Sequence, residues 1–196
     1  MKKILYLKHW QLFALFIGVP VLFQIVTFSA AVSGNDPMLI LFFLPIISLV
    51  LTGLYFSWFY TLGVNLQGKL PAREKMNLSR FKLFLLIPSV YILAISVFMT
   101  GAYFVDLPIS GPEFLVPGLL VPVHLFSMFC IFYSMYFVAK ALKTVEWRRP
   151  VTFSDFAGEF FLIWFFPIGI WFLQPRINAI FAAGGEADEE KFDFEA

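Results

Sequence analysis

His124 is the ionisable side chain set deepest in an apolar run of this sequence. Ser127, Cys130 and Ser134 follow it at intervals of three, three and four. That spacing places all four on roughly one face of a helix. Such a face has two readings. A histidine with hydroxyls behind it can line a polar path for a proton, ion or small solute. Small polar residues on one face also suit close packing between membrane helices, which requires no further assumption. Gln24 lies deep in another apolar run, and a neutral imidazole bonded to its amide is the simplest account of His124. A proton relay needs a chain of groups, and no Asp, Glu, Lys or Arg lies deep enough in these runs to extend one. Cys130 is the only cysteine, which excludes an internal disulfide and a Cys-based metal site. In apolar surroundings its thiol is a poor nucleophile.

A second constellation follows residue 139. Lys143, Arg148 and Arg149 alternate with Glu146, Asp155 and Glu159, and Arg176 stands in Gln-Pro-Arg-Ile-Asn. The simple reading of Arg148, Arg149, Asp155 and Glu159 is ion pairing or head-group contact beside a membrane. The sharper reading is a docking site for a partner. Arg176 reads as an interfacial anchor, its stem along apolar surface and its guanidinium among head groups, or alternatively as a gate or anion contact. Thr152-Phe153-Ser154-Asp155 has the form of a capping box before a short helix with Phe153, Phe156 and Phe160 on one side. The chain lacks His-Glu-x-x-His, a Walker A loop, Gly-x-Ser-x-Gly and a pair of intramembrane aspartates. An enzyme is therefore disfavoured, and no catalytic residue, cofactor or metal is expected.

The elements that must hold these residues are membrane helices. Of the 196 residues, 60% are hydrophobic, 20% aromatic and only 14% charged, and the mean hydropathy is +0.84, far from soluble globular usage. A net charge of +1 gives no reason to expect nucleic acid as a partner. Four runs, 10–32, 38–63, 81–105 and 114–139, are long enough to span a bilayer. The first exceeds the ~7–15 apolar residues of a signal-peptide core, so it is expected to remain as a span. The turns at 33–37 and 106–113 contain no Lys or Arg, whereas the loop at 64–82 and the exit after 139 are basic. Positive charge resists translocation, which predicts both termini on the cytoplasmic side.

The stretch 160–173, FFLIWFFPIGIWFL, is apolar but shorter than the ~20 residues of a spanning helix. Pro167 and Gly169 interrupt it. It reads as a re-entrant or interfacial segment, and the alternative is a fifth span over 159–181 in a locally thinned bilayer. The expected architecture is an all-α bundle of four membrane helices over 1–143, a juxtamembrane linker and short apolar segment over 144–181, and an acidic disordered tail over 182–196. The hairpins 10–63 and 81–139 align on Pro20 with Pro88 and Pro45 with Pro122. This pattern fits a parallel repeat or chance matching of Phe and Leu.

The segment 151–178, with WFFPIGIW at 164–171 and QPRIN at 174–178, resembles a group of uncharacterised small bacterial multi-pass membrane proteins. The resemblance implies the bacterial inner membrane and supplies no activity. The expectation for function is a non-enzymatic accessory, assembly or scaffold subunit that presents a basic and aromatic cytoplasmic surface to lipid or a partner. Other membrane subunits or a second copy are the candidate partners. The alternative is a small permease or channel subunit with its path past His124.

Overall fold

The computed structural model describes residues 2–34, 44–104 and 115–194. Most of the first outer turn, the start of the second expected span and the whole of the second outer turn lie outside these residues. A 3-10 helix, Lys2–Tyr6, precedes α1 (His9–Phe13), a π-helical turn (Ala14–Gly18) and α2 (Val19–Val32). The last three run on as one apolar helix from His9 to Val32. Its widened turn falls directly before Pro20. In a regular helix the proline ring would clash with the Phe16 carbonyl and offer it no N–H.

Helix α3 is Leu44–Lys69, and a 3-10 turn at Ala72–Glu74 joins it to α4, Leu78–Phe104. Helix α5 is Leu115–Trp147, α6 is Phe153–Trp164 and α7 is Phe166–Phe194. Four helices, His9–Val32, Ile47–Lys69, Leu78–Phe98 and Leu120–Trp147, are long and apolar enough to cross a membrane. No strand occurs among the described residues, and the fold is all-α as composition predicts. Pro88 and Pro122 are interior to α4 and α5. Pro45 and Pro117 fall in the first described turn of their helices.

One expectation is corrected. The basic exit after residue 139 is the continuation of α5 to Trp147, because Ala139, Ala141, Leu142 and Val145 keep burying one face beyond the apolar run. Helix α7 runs on beyond its buried face through residues 182–194.

The chain forms two compact units, Met1–Gly18 with Trp58–Leu78 and Met135–Ala196, and Val19–Ser57 with Ser79–Ser134. Of the 14 Lys and Arg residues, all but Arg80 and Lys82 belong to the first unit. Its core holds Leu5, Leu12, Trp58, Phe137, Phe156 and Ile177. The second unit buries Phe81, Leu85 and Cys130, and Phe84 packs edge-on against Tyr133 at 4.7 Å between centroids.

Candidate functional site

The first unit gathers most of the charged residues singled out in the sequence around a helical hairpin. Helix α5 ends at Trp147, and Arg148 after it takes a left-handed conformation (φ 53) and donates its N–H to the Thr144 carbonyl at 2.9 Å. Thr152 then opens α6 through the expected capping box. The Asp155 carboxylate accepts the Thr152 N–H at 2.8 Å and the Thr152 hydroxyl at 2.9 Å. Those bonds, the backbone one foremost, hold the Asp155 carboxyl below the usual carboxylate range.

Helix α6 buries Phe156, Glu159 and Ile163 on one face. Helix α7 buries Ile170, Leu173, Gln174, Ile177 and Phe181 at the spacing of one helical face. The chain reverses between them at Phe165, whose carbonyl accepts the N–H groups of Ile168 at 3.0 Å and Gly169 at 2.8 Å. Pro167 sits in the first turn of α7, where it is tolerated. Past this corner the Leu162 carbonyl packs onto Gly169, with no room for a Cβ there. Residues 160–173 are thus two antiparallel pieces, and no single rod runs from 159 to 181.

At the base of the hairpin four charged groups meet. Glu159 Oε1 accepts from Lys143 Nζ at 2.8 Å and from Arg176 Nη2 at 2.7 Å. Arg176 also clasps Glu146 in a two-pronged pair, Nε to Oε1 at 2.7 Å and Nη2 to Oε2. The Glu159 side chain is only 6% exposed, so this charge is affordable only because it is paired. Arg176 therefore does not reach out as an interfacial anchor: the carboxylates of α5 and α6 take its guanidinium, and Glu146 raises its pKa further above the usual arginine value. Burial by itself would push Glu159 up, but hydrogen bonds from Lys143 and Arg176 outweigh it and hold the carboxyl below its ordinary range. A depressed folded pKa gives stability that is present above the unfolded value, about 4.3, and lost as pH falls through the folded one. The thermal midpoint in detergent should therefore hold down to about pH 5 and fall in stronger acid. In Glu159→Gln that acid loss should shrink, and an unchanged acid limb would remove Glu159 from the explanation.

The N-terminal segment runs antiparallel to α7 in a consistent register. Gln174 Nε2 lies 3.0 Å from the Leu5 carbonyl and 2.9 Å from that of Leu7, and Asn178 Nδ2 donates to Leu7 at 3.3 Å. The Trp171 ring meets those of His9 at 4.7 Å and Phe13 at 5.6 Å between centroids, both tilted. Phe166, beside the corner, meets Phe16 edge-on at 5.3 Å and Trp58 at 5.5 Å. Phe16 and Trp58 lie about 10–16 Å inside the ends of their spans, counted from His9 and Lys69 at roughly 1.5 Å per residue. The hairpin tip thus reaches well along the spans rather than stopping beside their ends.

No protein-family model, curated protein or solved structure matches this chain. Its class follows from its own surface. Leu22, Phe28, Val50, Leu86, Val97 and Leu125, spread over the four apolar helices, are each more than half exposed. Such an exterior requires hydrocarbon as its solvent. It is an integral membrane protein. Around the hairpin corner Phe161, Trp164, Phe165, Ile168 and Phe172 are also exposed, as are Arg148 and Arg149 at the end of α5. Arg149 reaches Asp155 only at 3.9 Å, and it and Lys143 each lie 4.5 Å from the centre of the Trp147 ring.

The intramembrane candidates lie in the second unit and do not converge. His124 is exposed, and its Nδ1 is 3.1 Å from the Tyr91 hydroxyl, so Tyr91 rather than Gln24 is its partner. Ser127 is buried, and its hydroxyl has no hydrogen-bond partner among the described residues. Ser134 donates to the Cys130 carbonyl at 2.9 Å. A cavity of about 190 Å³ is lined by α3 and α4, and a groove of about 970 Å³ by α2 and α3. Gln24 lines the groove, and neither space includes His124, Ser127 or Ser134.

Sequence reading missed the clamp by Gln174 and Asn178, and the partnership of Arg176 with Glu146. The clamp had a signal, since two amides four residues apart share a helix face. The ion pair, thirty positions apart, had none.

Proposed function

We propose that the chain is a non-enzymatic accessory, assembly or scaffold subunit of the bacterial inner membrane, with the basic unit and both termini in the cytoplasm. In this reading α6 and α7 enter the bilayer from that side and turn back at Phe165. The observation that carries it is the division of labour among charges. Lys143, Glu146, Glu159 and Arg176 satisfy one another and fix the hairpin, while Arg148 and Arg149 remain exposed at its base, Arg149 over the Trp147 ring. Arginine and indole rings at one level suit anionic head groups at a membrane interface. Arg148 also holds a backbone conformation that glycine would adopt at less cost, which supports a use for its side chain.

Unfolding in nanodiscs of neutral and of anionic lipid tests this reading. Anionic lipid should stabilise the wild type, and the Arg148→Ala/Arg149→Ala variant should lose about 1 kcal/mol of that gain per arginine. His124→Ala should keep it. Equal lipid dependence in wild type and double variant would overturn the assignment of these arginines. Loss of a solute flux on His124→Ala would favour a permease.

A further inference from the structure

The groove between α2 and α3 holds a group that lipid cannot satisfy. Gln24 projects from α2 beside Phe28 and Ala31, opposite Ser48, Leu51 and Thr52 of α3. Its amide is exposed and has no hydrogen-bond partner among the described residues. Thr27, by contrast, turns its hydroxyl inward to the Phe23 carbonyl at 2.8 Å. Counting from Val32, Gln24 lies about 12 Å inside the span, within a hydrocarbon core roughly 30 Å thick. An amide exposed to acyl chains forfeits its hydrogen bonds, and a polar side chain on another helix restores them. The helix that carries it is also the barest of the four: 6% of its apolar window is buried, against 28%, 17% and 33% for the others.

We propose that this groove is the interface with a second copy of the chain, paired about a two-fold axis along the membrane normal through Gln24. An amide is its own complement, since each side chain both donates and accepts. Two copies inserted in the same sense place Gln24 at equal depth without further adjustment, and a two-fold contact brings the same residue to both sides. An acyl chain fills the groove but leaves the amide unmet. A helix of another protein would need a polar group supplied at that depth. The proposal goes beyond the reading of the basic unit and does not depend on it, because Arg148 and Arg149 play no part.

The test is association of the full-length protein in bilayers, followed by single-molecule photobleaching as protein is diluted into lipid. The wild type should form dimers, Gln24→Leu should weaken them by about fivefold to tenfold, and Gln24→Asn should stay within about threefold of wild type. In a Cys130→Ala background, Phe28→Cys on the groove face should form disulfide-linked dimers, and Val26→Cys off that face should not. If Gln24→Leu lowers the unfolding temperature, the cysteine pair decides the matter alone. A wild type that stays monomeric, a dimer indifferent to Gln24→Leu, or equal cross-linking at both positions would overturn the proposal.

Discussion

Gly169→Ala should destabilise the protein by about 3 kcal/mol, the upper range for forcing extra volume into a packed site. The neighbour that blocks the new methyl is the Leu162 carbonyl and its backbone carbon, which cannot swing aside as a side chain would. Helix α6 would have to move off α7, and the contacts of Ile163, Ile170 and Leu173 would loosen with it. Helix propensity opposes this loss by only about 1 kcal/mol, so the steric effect decides the sign. Gly158→Ala is the matched control. It sits inside α6 with nothing near its Cβ position, and the same exchange there should stabilise by about 0.5–1 kcal/mol. Thermal unfolding in detergent, read by tryptophan fluorescence, would separate the two. A neutral Gly169→Ala would mean that α6 and α7 do not pack at this corner.

Arg176→Leu should cost about 3 kcal/mol, the lower end for removing one member of a buried ion pair. The substitution leaves Glu146 without its two-pronged partner and Glu159, 6% exposed, with Lys143 alone. The side chain of Arg176 is itself 34% exposed, and water there reduces the loss below that of a fully buried pair. Glu159→Leu should cost less, because Arg176 keeps Glu146 and Lys143 keeps the Trp147 ring. A double-mutant cycle on Glu159 and Arg176 should give a coupling of about 1–3 kcal/mol. Purely additive losses would show that the 2.7 Å contact carries no net energy.

The parts of this fold legible in the sequence are those that one helix declares about itself. Run length and the absence of charge gave four helices, and Thr152 with Asp155 gave the start of α6. Pro167 and Gly169 marked the break in the aromatic stretch, although the corner falls at Phe165, because proline is tolerated in the first turn of the helix that follows it. Partnerships between helices were not legible. His124 had the depth to meet Gln24, but depth does not say which helix lies alongside, and Tyr91 on α4 is its neighbour. Arg176 had the look of an anchor because its sequence neighbours are apolar, while Glu146 reaches it only once α7 folds back.

The most direct test of a hairpin that turns back in the membrane is the side on which the chain ends. A compartment-sensitive reporter fused after Ala196 in a bacterial host would be compared with one fused after Val151. Under the proposed topology both should report the cytoplasm, because residues 160–173 would enter and return on the side of Arg149 and Arg176. A periplasmic signal from the full-length fusion alone would mean that the segment crosses as a fifth span, and would contradict the reversal at Phe165.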